Sequence, residues 1–342
     1  MNSPPNKYFN LQSYAYHLPE KLIAQNPVVN REQCRLLIIN RRKESIRHDT
    51  FNHLNDYLPK HSRLVINNSK VIPARLFGQR STGGAVEVFL LKPLDDISLY
   101  EVLLRPLKKI KEGESIDFGH GICAVLVNKE KRIVRFNKKN IIRHLKEIGH
   151  IPLPPYIKRQ DTLEDRDDYQ TVYAKQPGSV ASPTAGLHFT EGLIKKLKAQ
   201  GHRFSEITLH INYGTFKPVE CADIRQHPMH TEHYSIAPSV YKAVAKSQVD
   251  ARPLIAVGTT SCRVLEAVAQ SKVLAGSTDI FIYPGYEFRS VDALITNFHL
   301  PNSTLLMLVC AFGGYDLVMQ AYQEAIKNHY RFYSYGDAML IL

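Results

Sequence analysis

Histidine is the side chain whose ordinary pKa lies nearest neutrality, so it is the first place to look for proton transfer or metal binding. In "RQHPMHTEHY", His227, His230 and His233 recur at intervals of three with Glu232 among them, the donor types of a metal-dependent hydrolase. Pro228 interrupts the first turn, however, and the HExxH pattern that puts two ligands on one helical face is missing. A polar turn leading into "YSIAP" is the favoured reading, and no metal is expected. In "PTAGLHFTEGL", His188 stands just ahead of a helix that Thr190 can cap, where N-terminal amides favour an anion or an electron-rich group. "GSVASPTAGLHF" and "VGTTSC" raise a nucleophilic serine, yet neither is GxSxG and no acid offers itself as the third member of a triad. "GTTS" at a helix start reads equally as an anion or ribose contact and as a cap. "GHGICA" lacks the third glycine of a dinucleotide fingerprint.

These residues need a scaffold, and the chain has two textures. From about Arg63 to Gly149 it runs in short apolar segments broken by turns, among them "GGAVEVFLL", "LYEVLLRPL", "GICAVLVN" and "RIVRFN", which predict a small antiparallel sheet or barrel. "GHIPLPPYIKRQD" follows, where Pro152, Pro154 and Pro155 exclude regular helix and favour an extended crossing. Beyond it, helix and strand alternate: the helix "FTEGLIKKLKAQG", the strand "FSEITLHIN", the buried strand "PLIAVG" into the helix "TSCRVLEAVAQ", the strand "TDIFIYPG", and "DALITNFHLPNS" before the helix "TLLMLVCAFGG". That alternation predicts an α/β domain with a mixed or parallel sheet, barrel-like in outline. "CRLLIINR" and "FNHLNDYL" before Arg63 share it, so the expected division is residues 1–64 and 150–342 for the large domain, with residues 65–149 inserted as the small β-barrel. Ligands of α/β sheets bind beyond the carboxyl ends of the strands. The turns at His210–Gly214, Gly258–Ser261, Tyr283–Tyr286 and Asn297–Asn302 fall there and are expected to share one cleft with His188.

Composition narrows the function classes. The 342 residues are 44% hydrophobic and 22% charged, enough for packed cores and for two domains. Lysine and arginine total 44 against 32 acids, a net +12 that makes a polyanion such as nucleic acid a natural partner. Part of that surplus, in "RPLKKIKEG" and "NKEKRIVRFNKKNIIRHLK", reads as a solvated face. The five cysteines form no CxxC pair, which argues against a zinc ribbon, an iron–sulfur cluster or a disulfide scaffold and fits reduced thiols in the cytoplasm. Neither a signal peptide nor a run of 18 apolar residues is present, so no membrane association is expected.

The motifs together resemble one family. "YHLPEKLIAQNPVVNREQCRLLIINR", "VIPARLFG", "GHIPLPPYIKR", "DRDDYQTVYAKQPGSVASPTAGLHFT", "GTFKPV", "HPMHTEHY", "AVGTTSCRVLEA", "YPGYEFRSVDALITNFHLPNSTLLMLVCAF" and "RFYSYGDAMLI" are similar, in this order, to the S-adenosylmethionine:tRNA ribosyltransferase-isomerases of the queuosine pathway, from about Tyr16 to the C-terminus. The resemblance implies an enzyme that moves the ribosyl part of S-adenosylmethionine onto 7-aminomethyl-7-deazaguanine at the tRNA wobble position. Epoxyqueuosine tRNA, adenine and methionine are the implied products. It implies a large α/β domain and a small β-barrel with a cleft between them, S-adenosylmethionine as co-substrate and no bound prosthetic group. A monomer is expected. The missing cysteine triplet speaks against a radical route. In the heterolytic route the sulfonium acidifies the ribose 5′ hydrogens, so a base and an acid are needed.

For those roles the candidates are His188, His210 and His299. For the nucleoside and methionine parts they are Thr184, Gly186, Gly214, Thr215, Thr259, Thr260, Ser261 and Asn297. Arg75 and Arg105 are the candidate cations for tRNA phosphate or a carboxylate. Four places depart from the family's usual pattern: Asn68 where aspartate is common, Leu107 where glycine follows "RP", Asn212 and Tyr213 ahead of "GTF", and Asn302 where arginine is usual. Any role that relatives give to a carboxylate or a guanidinium there does not pass to the amides Asn68 and Asn302. A non-catalytic RNA-binding protein on the same fold is the alternative from another class.

Overall fold

The computed structural model describes residues 6–212, 214 and 219–342. The strands are β1 (Arg35–Asn40), β2 (Ser45–Thr50), β3 (Arg63–Asn67) and β4 (Ser69–Val71), then β5 (Arg75–Arg80), β6 (Ala85–Pro93), β7 (Leu99–Arg105), β8 (Ser115–Asp117), β9 (Cys123–Asn128), β10 (Ile133–Phe136) and β11 (Gly149–His150). They continue as β12 (Gln176–Ser179), β13 (Arg203–Leu209), β14 (Glu232–Ser235), β15 (Leu254–Val257), β16 (Ala275–Thr278), β17 (Ala293–Asn297) and β18 (Ala338–Ile341). The longer helices are α1 (Glu191–Ala199), α2 (Pro238–Val249), α3 (Thr259–Ser271), α4 (Thr304–Gly313) and α5 (Tyr315–Lys327).

Nine strands form the large mixed sheet in the order β16-β14-β13-β3-β15-β17-β18-β1-β2. Its centre, β13-β3-β15-β17, is parallel, and β18 lies antiparallel to β17. The central strands are continuous apolar runs because both faces are covered. Period-2 alternation sends Leu37, Ile39, Val65, Ala256, Leu294 and Met339 to the core beneath α2 to α5, and Leu36, Ile38, Ile66, Ile255, Ile295 and Leu340 to the core beneath Phe51, Leu54 and α1. Among the described residues no single helix is long and apolar enough to cross a membrane.

The second sheet closes: β5-β6-β7-β10-β9-β8 returns to β5 through Gln79 opposite Asp117, and β11 adds to the other side of β5. Its interior is filled by alternate residues such as Val86, Val88, Val102, Leu104, Leu126 and Val134. Arg80 seals the closure with two bonds to Glu114, at 2.7 and 3.2 Å.

Two expectations need correction. The inner boundary at residue 65 falls inside β3, the centre of the large sheet, so the change of sheet comes at Pro73–Arg75. "RLVINNSKVIPARLFGQ" reads as one β-rich run, but its first half is held to the large lobe. Leu209 N and Ser69 N both donate to Asn67 Oδ1, and β4 pairs with β12. The second concerns "TDIFIYPG": the strand is β16, "AGST", immediately upstream, where pairing with β14 is available. Ile282 is buried without joining a ladder, so its apolarity serves packing.

Gly149 sits where the barrel rejoins the large lobe. A Cβ there would lie 2.2 Å from Pro73 O and 2.6 Å from Leu145 O, both backbone atoms that cannot swing aside. Gly149→Ala is therefore expected to destabilise by about 2–3 kcal/mol through overpacking. Thermal denaturation showing an unchanged midpoint would remove this account of the junction.

Candidate active site

The parallel order of β13, β3, β15 and β17 brings their carboxyl ends to one edge of the sheet. β15 exits at Gly258, whose N–H donates to Ile295 O at 2.7 Å, and Thr259 then opens α3. β17 exits through Asn297 into Phe298 and His299. Because β18 is antiparallel, the chain entering it through Tyr333 and Ser334 arrives at this same edge. The segment after β12 supplies Ser182 to Ala185. Together they line one cleft.

The lining is partly aromatic, with Tyr156 and Tyr333 in ring contact at 4.6 Å and Phe298 also on the lining. Tyr156 Oη bonds Ser334 Oγ at 2.6 Å. Polar atoms line the cleft as well. Tyr169 Oη, Ser182 Oγ, Thr260 Oγ1, Asn297 Oδ1 and Arg263 Nη2, all on residues lining the cleft, are buried with no hydrogen-bond partner among the described residues. Buried polar atoms are almost always paired, so such a group in one cavity marks where a polar ligand belongs.

The structure sorts the candidates. Thr184, Thr259, Thr260, Asn297 and His299 line the cleft. His299 is buried, and burial holds its pKa down at about 3. Its Nε2 bonds Thr296 Oγ1 at 2.7 Å, and its backbone N–H donates to Tyr322 Oη at 2.9 Å. His188 does not reach the wall. It lies one layer behind, with Nε2 at 3.1 Å from Asn297 Nδ2, Nδ1 at 3.1 Å from Cys34 Sγ and its ring against Phe51. Burial, aided by Arg31, holds it at about 3 as well. The expectation of acid and base near neutrality thus meets two histidines kept uncharged by desolvation. His210 is on the far side of an extended chain: Ile211 faces the cleft, while His210 Nδ1 bonds Ser69 Oγ at 2.8 Å.

The remaining candidates lie elsewhere. Gly186 is a packing position, since a Cβ would come 2.0 Å from Tyr173 Oη. Ser261 is fully buried at the start of α3 without lining the cleft, and its Oγ has no partner among the described residues. Gly214 borders a neighbouring hollow against His230, and Thr215 lies outside the described residues. Arg75 and Arg105 flank a separate groove between the barrel and Pro152–Pro155, where Arg75 Nε is paired with Glu87 at 2.8 Å.

Sequence reasoning missed the strongest charges at the site. Glu232 and Arg263 form a buried ion pair, 3% and 7% exposed, on the partition between the cleft and the neighbouring hollow. Glu232 drew notice only as one of a histidine-rich set. Strand alternation in β14 turns it inward while His233 faces out, which divides the supposed metal ligands. Among the described residues no three such donors come together. Tyr156, Ser182, Tyr333 and Ser334 were also missed, being ordinary residues until the fold gathers them. Asn68, the first departure from the family pattern, is held by Glu206 and Thr208 away from the cleft lining.

Comparison with known proteins follows the same line. The family described as "Queuosine biosynthesis protein" matches residues 11–341. The S-adenosylmethionine:tRNA ribosyltransferase-isomerase of Sulfurihydrogenibium sp. (strain YO3AOP1) is 48% identical over 335 residues, covering 97% of this chain and 99% of the relative. The protein of that name from Carboxydothermus hydrogenoformans is 47% identical over 339 residues, with 97% and 99% covered. Among solved structures, the S-adenosylmethionine tRNA ribosyltransferase of Thermotoga maritima is similar at 37% identity and a TM-score of 0.56, covering 96% of this chain and 100% of that one.

Two consequences can be measured. Replacing Arg263 by Met removes the guanidinium that pairs with the buried Glu232 carboxylate, an expected loss of about 1.5–3 kcal/mol. The double variant Glu232→Gln/Arg263→Met should recover most of it in denaturant titrations, and a double variant no better than the single one contradicts the pairing. The buried histidines set an acid limb. The unfolded chain takes up a proton on each near pH 6.5, whereas His188 and His299 resist until about pH 3. Their contribution is therefore complete above pH 6.5 and is lost as pH falls towards 3, by up to ~1.4 kcal/mol per pH unit for each. Stability curves for His299→Gln should be flatter in that window; an unchanged slope refutes the neutral state assigned to His299.

Proposed function

This chain belongs to the queuosine biosynthesis family, and on that premise we propose that it is an S-adenosylmethionine:tRNA ribosyltransferase-isomerase. It transfers the ribosyl part of S-adenosylmethionine to the amine of 7-aminomethyl-7-deazaguanine at the tRNA wobble position, releasing adenine and methionine. The observation that carries this reading is the cleft at the carboxyl edge of the large sheet, lined by a tyrosine pair and by five residues that each hold a buried polar atom with no partner among the described residues. A nucleoside needs both: a flat apolar surface for its base and polar contacts for its sugar and amino-acid portions.

Thr184, Thr259, Thr260 and Asn297 would contact the nucleoside, and His299 is the candidate histidine on the wall within reach of the reacting sugar. The excess of +12 suits a tRNA partner. Arg75 and Arg105, at the groove beside the small barrel, are the candidate cations for tRNA phosphate. S-adenosylmethionine acts as co-substrate without a prosthetic group, and the enzyme works as a cytoplasmic monomer of two lobes. The test is incubation with S-adenosylmethionine and tRNA bearing the aminomethyl-deazaguanine, with adenine measured by chromatography. Adenine should appear stoichiometrically with modified tRNA, and not with tRNA carrying ordinary guanine. Binding of both substrates with no adenine released would identify a non-catalytic RNA-binding protein instead.

A further inference from the structure

Asn297 is the last residue of β17, and its carboxamide presents two N–H donors on one side and one acceptor on the other. Nδ2 lies 3.2 Å from Tyr333 O and 3.1 Å from His188 Nε2. A backbone carbonyl can only accept, so nitrogen must face Tyr333. The second N–H then needs His188 Nε2 to be unprotonated. The imidazole proton is accordingly on Nδ1, where Cys34 Sγ stands at 3.1 Å to receive it. Both donors of Asn297 are thus used inside the protein, while Oδ1, on a residue lining the cleft, is buried and has no partner among the described residues.

The surroundings hold this arrangement. Tyr333 has φ +70°, a left-handed backbone that a bulky residue adopts only under constraint from its surroundings, and that conformation brings its carbonyl to Asn297 while its ring enters the cleft. The His188 ring packs against Phe51 at 5.2 Å, and the side chain is 4% exposed, so it has no space to turn.

We infer that His188 is a positioning residue whose Nε2 holds the Asn297 carboxamide with Oδ1 turned into the cleft, as the acceptor for an N–H or O–H of the bound nucleoside. The donor is one of three groups of the sulfonium nucleoside: the base amine, a sugar hydroxyl or the ammonium of the amino-acid part. This rests on the reading of the cleft as the S-adenosylmethionine site. A protonated or Nε2–H imidazole would clash with the Asn297 N–H and favour the flipped amide, which offers a donor where the ligand also offers one.

The experiment compares wild type, His188→Leu and His188→Gln by titration calorimetry with S-adenosylmethionine and with 5′-methylthioadenosine. Leucine removes the acceptor, and glutamine restores one near the Nε2 position. The expected result is binding weakened about tenfold or more in His188→Leu and within about threefold of wild type in His188→Gln, with KM following binding. Loss for both ligands places the donor on the adenosine part; loss for S-adenosylmethionine alone places it on the amino-acid part. Leu and Gln variants that bind equally, whether like wild type or equally weakly, overturn the inference. If His188→Leu fails to fold, nitrogen-15 NMR of the wild-type histidines decides: a neutral His188 protonated on Nδ1 supports the inference, and the Nε2–H form refutes it. A wild type that binds no S-adenosylmethionine would sink the functional reading, and the tautomer would still decide how Asn297 is held.

Discussion

The register of β17 between β15 and β18 is the constraint on which the site depends. It opposes Asn297 to Ala338 and ends the strand where the chain must turn into the cleft. That register is firmly specified because both faces of the sheet are buried. A slip of one residue would exchange Leu294 and Ile295 between two different cores. Tyr333 and Ser334 reach the cleft through the same pairing, since they lead into β18. A polar site is thereby anchored to apolar packing, and its atoms inherit the precision of the core.

The cleft is built to be neutral. The surplus positive charge of the chain lies largely on exposed lysines and arginines, while the wall offers hydroxyls, an amide oxygen, uncharged imidazole and tyrosine rings. The charged groups on its lining, Glu232 and Arg263, are joined in an ion pair. A ligand that carries its own positive charge meets acceptors and aromatic faces, both of which interact more strongly when water is displaced. The same desolvation keeps His188 and His299 unprotonated, so proton transfer at this site would depend on what the substrates bring when they bind.

The proline-rich crossing after the barrel is secured by Asp165, fully buried, which accepts from Arg159, Thr162 N and Tyr335 Oη. Tyr335 belongs to the segment that enters β18, so the fastening of the crossing and the geometry of the cleft share a short stretch of chain. Tyr156, on the crossing itself, contributes half of the aromatic wall.

Much of this was legible in the linear sequence. Strand-length apolar runs announce the barrel, helix–strand alternation announces the α/β lobe, and the rule that ligands gather beyond strand ends points to the turns that carry Thr259, Thr260, Asn297 and His299, which line the cleft. Periodicity reports local conformation and burial, and these are local properties of the chain. Which polar atom faces which was decided only by the tertiary structure. It placed His188 behind Asn297, turned His210 towards Ser69, drew Glu232 to Arg263 and gave Tyr333 its strained backbone. Those outcomes depend on the pairing of segments tens to hundreds of residues apart, and a hydrogen bond's partner is set by that distant packing, on which residue type and spacing along the chain carry no information.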